Sequence, residues 1–284
     1  MKNQPVIGLI GSGVMGEALV GGILQKGLTC PEHIRASDPL ADRGEELHAR
    51  FGIQPFTENG PAVEGADVVI LSVKPQRLDK VLAGLRGHIA PHALVLSIVA
   101  GASIDAISGG LQHPAVVRSM PNTPAQIGEG ITIWTTSDAI SDEQKEIAQQ
   151  LLSALGQEIY VEEESYLDMA TALSGTGPAY VFLFMEAMID AGVHLGFPRR
   201  IAEQLVVQTI RGSVNFYTKN KMHPATLRNQ VTSPGGTSAA ALYYLEKAGF
   251  RTAISRAVWA AYERSQELGK GRNSQPPEKT GEGD

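Results

Sequence analysis

The sequence predicts a doubly wound α/β domain over residues 1–164, followed by an all-α domain over 165–270 and a disordered tail over 271–284. Three observations carry this. Short apolar runs alternate with helix-length segments through the first half, which is the pattern of a mostly parallel sheet covered on both faces. From Leu167 to Leu268 the pattern is helical almost throughout, broken only at Gly196-Phe197-Pro198, His223-Pro224 and Ser233–Gly236. The last stretch, from Gly271 to Asp284, is rich in Gly, Pro, Lys and Glu and holds too little apolar surface to order itself.

Taken in order, Val6–Ile10, Ile34–Ser37, Val68–Val73, Leu94–Val99, Val116–Ser119 and Ile131–Thr135 read as strands. Gly16–Lys26 and Arg43–Arg50 read as helices between them. Ser141 is a fitting N-cap for a helix over Asp142–Leu155, with Gly156 just past its end and a last strand at Ile159–Val161. In the second half, Ala179–Leu195 is apolar on more than one face, as expected of a helix buried on several sides. Such a bundle completes its core against a second copy of the chain or, on the alternative reading, caps the first domain as a monomer.

Composition narrows the function classes. The 284 residues are 43% hydrophobic and 19% charged, an ordinary globular balance. A formal charge of −6 without a basic face argues against a nucleic-acid partner. No apolar run reaches the roughly 18 residues of a membrane span, so no membrane partner is expected. Cys30 is the only cysteine, which leaves no intramolecular disulfide and no Cys-based metal site. No signal-peptide pattern opens the chain, and the expected location is cytoplasmic.

The strongest motif of the first half is Gly11-Ser12-Gly13-Val14-Met15-Gly16, which follows an apolar run and opens a helix. In that context the spacing marks a dinucleotide-binding, Rossmann-like turn. Gly11 permits the tight turn, Gly13 lets a pyrophosphate approach the backbone, and Gly16 lets helix and strand pack closely. Free N–H groups at the helix start favour the phosphates. A tight turn without a ligand is the plainer alternative. Asp38 ends the second predicted strand, where a carboxylate accepts from an adenosine ribose and repels a 2′-phosphate. It therefore favours NADH over NADPH, although Arg35 and Arg43 stand near enough to offset it, and Asp38 also reads as a turn cap before Pro39. Ser72-Val73-Lys74-Pro75, Ala100-Gly101 and Met120-Pro121-Asn122-Thr123-Pro124 follow later strands and are expected to line the same crevice.

Two segments of the helical half are glycine-rich where helices are expected to continue. Leu173-Ser174-Gly175-Thr176-Gly177-Pro178-Ala179-Tyr180 places Pro178 at the first turn of a helix. Val231–Leu242 contains Ser233-Pro234-Gly235-Gly236-Thr237-Ser238 and then opens an apolar helix. Such a terminus presents N–H groups and hydroxyls that can hold a small carboxylate, or it is a plain interhelical turn with Ser/Thr capping.

Together, Val73-Lys74-Pro75, Met120–Pro124, Ser174–Tyr180 and above all Ser233–Ser238 resemble the pyrroline-5-carboxylate reductase family, over about Val6 to Leu268. The resemblance implies a homodimer or higher homo-oligomer that reduces a cyclic imine acid to proline with NADPH or NADH. It assigns cofactor contacts to Ile10, Gly11, Ser12, Gly13, Val14, Met15, Asn59, Ser72, Val73, Lys74 and Pro75, with Ile98, Val99, Ala100 and Gln230 joining them. Glu164, Thr237 and Ser238 would lie at the substrate. Ser233, Gly235 and Gly236 would help grip its carboxylate, and Thr237 or Ser238 is a candidate proton relay. Where the signature has a threonine, this chain has Ser238. A protonated imine accepts hydride without a catalytic histidine, in keeping with seven histidines of which none sits in a motif. Two rivals share the first motif: a hydroxy-acid dehydrogenase of the G-x-G-x-M-G type, and a nucleotide-sensing module. The first expects an acid/base lysine in the long second-domain helix, and Phe182–Leu195 contains none.

Overall fold

The computed structural model describes residues 4–270, so the expected tail at 271–284 lies outside the described residues. The chain runs β1 (Ile7–Ile10), α1 (Val14–Gln25), β2 (Ile34–Ser37), α2 (Ala41–Phe51), β3 (Gln54–Phe56), α3 (Asn59–Val63), β4 (Val68–Leu71), α4 (Leu78–Leu85), β5 (Leu94–Ser97), α5 (Ile104–Leu111), β6 (Val116–Met120), β7 (Gly130–Thr136), α6 (Asp142–Ser153) and β8 (Gly156–Tyr160). Helices follow from there: α7 (Ser165–Ala170), a π-helical turn at Thr171–Gly175, α8 (Gly177–His194), α9 (Arg199–Asn220), α10 (Pro224–Gln230), α11 (Thr237–Lys247) and α12 (Phe250–Lys270).

The eight strands form one sheet in the order β3-β2-β1-β4-β5-β6-β7-β8. Because the order reverses at β1 and β4, a crevice opens beyond their C-terminal ends. Ile7 pairs in register with Ile34 on one side and Val68 on the other. The central strands are apolar and buried on both faces. Leu9, Val68 and Ile70 join the core around Leu19, Ile23 and Trp134, while Val69, Leu71 and Val95 join the core around Leu82, Leu85 and Ile107. This double burial is why β4 and β5 read as unbroken apolar runs rather than as alternating ones.

β6 and β7 are antiparallel, with Arg118 opposite Thr135 and Ser119 opposite Trp134. Residues 121–129 carry only a 3₁₀ turn at Thr123–Ile127, too little chain for the crossover a parallel pair requires. β3 was not among the expected strands. It is a short edge strand containing Pro55, whose missing N–H an edge tolerates and whose presence hides the strand from sequence reasoning. Ser141 caps α6 as expected, in a full capping box with Gln144. Gly156 opens β8 instead of merely ending the helix.

Two compact units divide the described chain: one holds everything up to Thr176 and from Ala260 onward, the other is Gly177–Trp259. The division therefore falls beyond the expected break at 164/165. α7 stays with the sheet because Leu167 and Ala170 are buried there and because Glu164, just before it, and Asp168, within it, pair with Arg118. The end of α12 returns to the first unit, where Leu268 packs beside Gly101.

The second unit buries few large side chains. α8, α10 and α11 have no buried residue, and α9 buries only Ala202 and Val206. Phe182, Leu183, Leu195, Val214, Tyr244 and Trp259 are all exposed, Leu195 to 79%. The helical stretch Ser165–His194 is by length and composition apolar enough to cross a membrane, and little of it is buried. That corrects the expectation of no such run: Asp168, Glu186 and Asp190 punctuate the stretch in sequence without lowering its apolar character enough to exclude it. Helices with so little buried surface cannot offset the conformational entropy of ordering them. Sedimentation at micromolar concentration is therefore expected to show no folded species near the 30.2 kDa monomer mass, with Tm rising with protein concentration. A stable, compact monomer would refute the need for a covering copy.

Candidate active site

The turn after β1 closes tightly on the end of β4. Gly11 adopts φ +94°, and a Cβ there would stand 2.5 Å from the Ser72 carbonyl oxygen. Ser72 N–H donates to the Ile10 carbonyl at 2.8 Å, so the β1 and β4 loops are hydrogen-bonded as well as in contact. A Cβ on Gly16 would stand 2.5 Å from the Gly11 carbonyl oxygen and 3.2 Å from Ser72 Oγ, so α1 can start this close only with glycine. Gly13 differs, since a Cβ there would meet nothing within 4 Å. It caps α1 without a side-chain hydrogen bond. The N–H groups of Val14, Met15 and Gly16 lack intrahelical acceptors and face outward from the helix start. This open space in front of unsatisfied N–H groups fits the pyrophosphate of a dinucleotide.

Ser12 has a different role from its neighbours. It is fully buried; its N–H donates to Asp38 Oδ2 at 3.1 Å and its carbonyl accepts from Arg43 Nε at 2.7 Å. Asp38 Oδ1 accepts from Leu40 N–H at 3.0 Å, so this carboxylate both braces the glycine turn and caps its own turn. Asn59 opens α3 beside it and accepts from Ser37 Oγ at 2.7 Å. Arg43 is held by Glu17 and Glu46, and the Glu17 hydrogen bond leads in raising its already high pKa. Arg35 donates to the Glu64 carbonyl at 2.6 Å. Neither arginine stands unengaged beside Asp38.

The remaining first-unit residues follow strand ends as expected. Val73, Lys74 and Pro75 lead out of β4, with Lys74 exposed. Ile98, Val99 and Ala100 lead out of β5, where Val99 N–H donates to Ser97 Oγ at 3.2 Å. Asn122 follows β6, but both ends of its amide are engaged: Nδ2 donates to the Ser174 carbonyl at 3.2 Å and Oδ1 accepts from Ile131 N–H at 3.0 Å. It ties the Met120–Pro124 loop to the π-helical turn. The Ser174–Gly177 segment is thus no break between helices. Thr176 N–H and Oγ1 both donate to the Thr171 carbonyl, a wide turn of the kind that gathers at functional sites.

Glu164 precedes α7 in the first unit. Its Oε1 accepts from Ile104 N–H at the start of α5 and from Arg118, each at 2.8 Å. Arg118, Asp168 and Ser265, which complete this cluster, were not foreseen. An arginine inside the apolar run Val116–Met120 was the available signal, because a buried guanidinium requires carboxylate partners.

In the second unit, Gly236 is the N-cap of α11 and has no side chain to cap with. Thr237 and Ser238 therefore stand inside the first helical turn, and neither hydroxyl has a hydrogen-bond partner among the described residues. Gly235 adopts φ +73°, which turns the chain into this helix start. Ser233 folds against Gly236, whose N–H donates to its carbonyl at 3.0 Å; a Cβ on Gly236 would stand 2.7 Å from Ser233 Oγ. Gln230 ends α10, with Nε2 3.9 Å from Met222 Sδ. The Ser233–Ser238 residues are gathered as expected, while Gln230 belongs to a different unit from the other proposed cofactor residues.

Comparison with known proteins agrees with both halves. Residues 6–101 match the family described as NADP oxidoreductase, coenzyme F420-dependent, and residues 164–268 match pyrroline-5-carboxylate reductase dimerisation. Pyrroline-5-carboxylate reductase from Synechocystis is 42% identical over 93% of this chain and 98% of its own length. The Escherichia coli protein of that name is 36% identical, with 93% and 98% covered. Among solved structures, Plasmodium falciparum pyrroline carboxylate reductase with NADP bound superposes with a TM-score of 0.86 at 32% identity, covering 93% of this chain and 98% of that one. Aquifex aeolicus prephenate dehydrogenase, at 13% identity and TM-score 0.54, shares the fold alone. Similarity that spans both units leaves no room for the hydroxy-acid dehydrogenase or sensor readings: the chain belongs to the pyrroline-5-carboxylate reductase family.

Proposed function

We propose that this protein reduces 1-pyrroline-5-carboxylate to L-proline with NADPH or NADH, working as a homo-oligomer built from homodimers. The observation that carries the reading is the pairing, in one family-length chain, of an open helix start at Gly13–Gly16 with a second at Gly236–Ser238. The first suits a pyrophosphate and the second a small carboxylate. A reduced nicotinamide, when bound, supplies hydride to the ring carbon of the protonated C=N bond, whose electron pair moves to nitrogen to give the secondary amine.

The chain's own work is then binding and orientation. Val14, Met15 and Gly16 present N–H groups to the phosphates, with Asp38 and Arg43 holding the turn rigid through Ser12. Lys74 offers an exposed cation at the end of β4. The N–H groups of α11's first turn, with the free hydroxyls of Thr237 and Ser238, grip the substrate carboxylate. Glu164 supplies a carboxylate opposite to the cationic imine. The exposed apolar faces of α8 and α9 are covered by a second copy. With Asp38 engaged as a brace, both cofactors are accepted, and the first test is direct: NADPH or NADH should be oxidised only when pyrroline-5-carboxylate is present. Folded protein with no turnover above a no-enzyme control would sink the reading.

Two variants at the first turn separate its roles. Gly11→Ala meets the Ser72 carbonyl at a left-handed φ and should cost roughly 2 kcal/mol of stability. Gly13→Ala enters open space, so it should cost less than about 1 kcal/mol yet weaken dinucleotide affinity about tenfold, or about 1.4 kcal/mol. Thermal melting and calorimetric titration with both cofactors measure the two effects. Unchanged affinity in Gly13→Ala would remove the pyrophosphate from this turn.

At the other site, Thr237→Ala with Ser238→Ala removes two hydroxyls that cap nothing. A hydrogen bond to a charged group is worth about 1.5–3 kcal/mol, so KM for the imine acid should rise roughly tenfold or more while Tm stays nearly constant. A KM that does not move would end the carboxylate-binding role.

A further inference from the structure

The first unit contains one buried guanidinium with two carboxylate partners on different turns of the same helical segment. Arg118 lies on β6 with its side chain only 6% exposed. Nη1 donates to Glu164 Oε1 at 2.8 Å, and Nη2 donates to Asp168 Oδ1 at 2.9 Å. The two arms end differently. Asp168 Oδ1 also accepts from the buried Ser265 Oγ at 2.9 Å, which ties the last turns of α12 to α7. Glu164 Oε1 also accepts from Ile104 N–H, which ties the same helix to the segment that follows the β5 loop. Glu164 Oε2 has no hydrogen bond among the described residues, and the side chain is a third exposed. One carboxylate oxygen is therefore fixed by a buried cation and a backbone N–H, leaving the other unengaged and aimed by them.

We propose that Arg118 is a positioning residue of the reductase reaction, acting through Glu164. This rests on the reading of Glu164 as a substrate-facing carboxylate. Only an arginine reaches both acids, because the planar fork presents two parallel edges where a lysine presents one ammonium. The Glu164 arm sets the rotamer of a group that meets the cationic imine. The Asp168 arm differs in what it joins: the same Oδ1 that meets Arg118 takes the buried Ser265 hydroxyl, so this arm fastens α12 to α7, and its side chain is less exposed than that of Glu164, 22% against 33%. Activity and stability thus divide between the two arms of one side chain.

The experiment is a mutant cycle on the full-length enzyme, with Arg118→Met, Glu164→Gln, their double variant, and Asp168→Asn and Ser265→Ala on the other arm. Each is read three ways: kcat/KM for pyrroline-5-carboxylate, dinucleotide affinity by titration without the imine, and Tm. Glu164→Gln and Arg118→Met should each lower kcat/KM by roughly tenfold or more. The double variant should be no worse than Glu164→Gln alone, since residues acting as one unit are non-additive. Dinucleotide affinity should stay within about twofold, and the Asp168 and Ser265 variants should lower Tm while keeping kcat/KM within about twofold. If Arg118→Met does not fold, Arg118→Lys, which retains a cation for one arm, is taken through the same cycle. Additive losses, or an Asp168→Asn loss equal to that of Arg118→Met, would overturn the proposal in favour of a structural cluster. An unchanged kcat/KM in Glu164→Gln would overturn it too, by removing Glu164 from the substrate. A wild-type enzyme inert toward the imine acid would instead signal failure of the functional reading itself.

Discussion

The site in the first unit depends on how closely the turn after β1 approaches the end of β4. Gly11 and Gly16 lie against the Ser72 carbonyl and the Gly11 carbonyl at distances no Cβ could occupy. That contact fixes the origin of α1, and with it the direction in which Val14, Met15 and Gly16 present their N–H groups. Glycine is destabilising in most contexts because it is conformationally free when unfolded. Here the cost is offset by rigid bracing from outside the turn. Asp38 takes the Ser12 N–H, Arg43 takes the Ser12 carbonyl, and Arg43 is itself held by Glu17 on α1. Side chains from β2's end, α2 and α1 thereby converge on one buried serine. A charged residue at a ribose-selecting position thus has a second use, and selectivity cannot be read from its charge alone.

The second unit obeys a different constraint. Its helices bury almost nothing large and leave Phe182, Leu183, Tyr244 and Trp259 exposed, whereas the central strands of the first unit are buried throughout. Local pairs such as Phe184 with Phe250, 6.4 Å between ring centroids, bring aromatics together without enclosing them. A unit built this way gains its hydrophobic stabilisation on association, so folding and assembly are coupled. The same exposed apolar surface gives Ser165–His194 its membrane-like composition. Surface meant for a protein partner and surface meant for lipid share a composition, and differ in the company they keep along the chain.

Much of the first unit was legible in the sequence because its strands are buried on both faces. Val68–Leu71 and Leu94–Ser97 declare themselves as unbroken apolar runs, and Ser141 with Gln144 declares a helix start. β3 was hidden by Pro55, since the same residue marks an edge strand and a loop. The reversal at β7 was hidden because direction depends on the length of the connection, not on the strand's own composition. In the candidate sites, the backbone needs read at Gly11, Gly16 and Gly235 have a visible cause in a close approach or a positive φ. Polar residues carry bonds that no local pattern announces. Ser12 and Asn122 turned out to be engaged inside the protein on all their polar groups or nearly so.

That difference has a physical cause. A glycine's role follows from its own backbone and one close neighbour, so a short motif carries it. A polar side chain's role depends on which partners the fold delivers, and these come from far along the chain. Arg118 meets Glu164 and Asp168 across 46 and 50 residues, and Asp168 meets Ser265 across 97. No local pattern announces such a cluster, yet its existence was required once an arginine appeared in a strand buried on both sides. Desolvating a guanidinium without partners is prohibitive, and satisfying it with two carboxylates at once demands the fork geometry of arginine. The sequence therefore carried the demand for the cluster while the fold chose its members. One of those members, Glu164, uses a single carboxylate oxygen for both of its bonds. On the proposed role of Glu164, a charge buried for structural reasons would thereby act on chemistry.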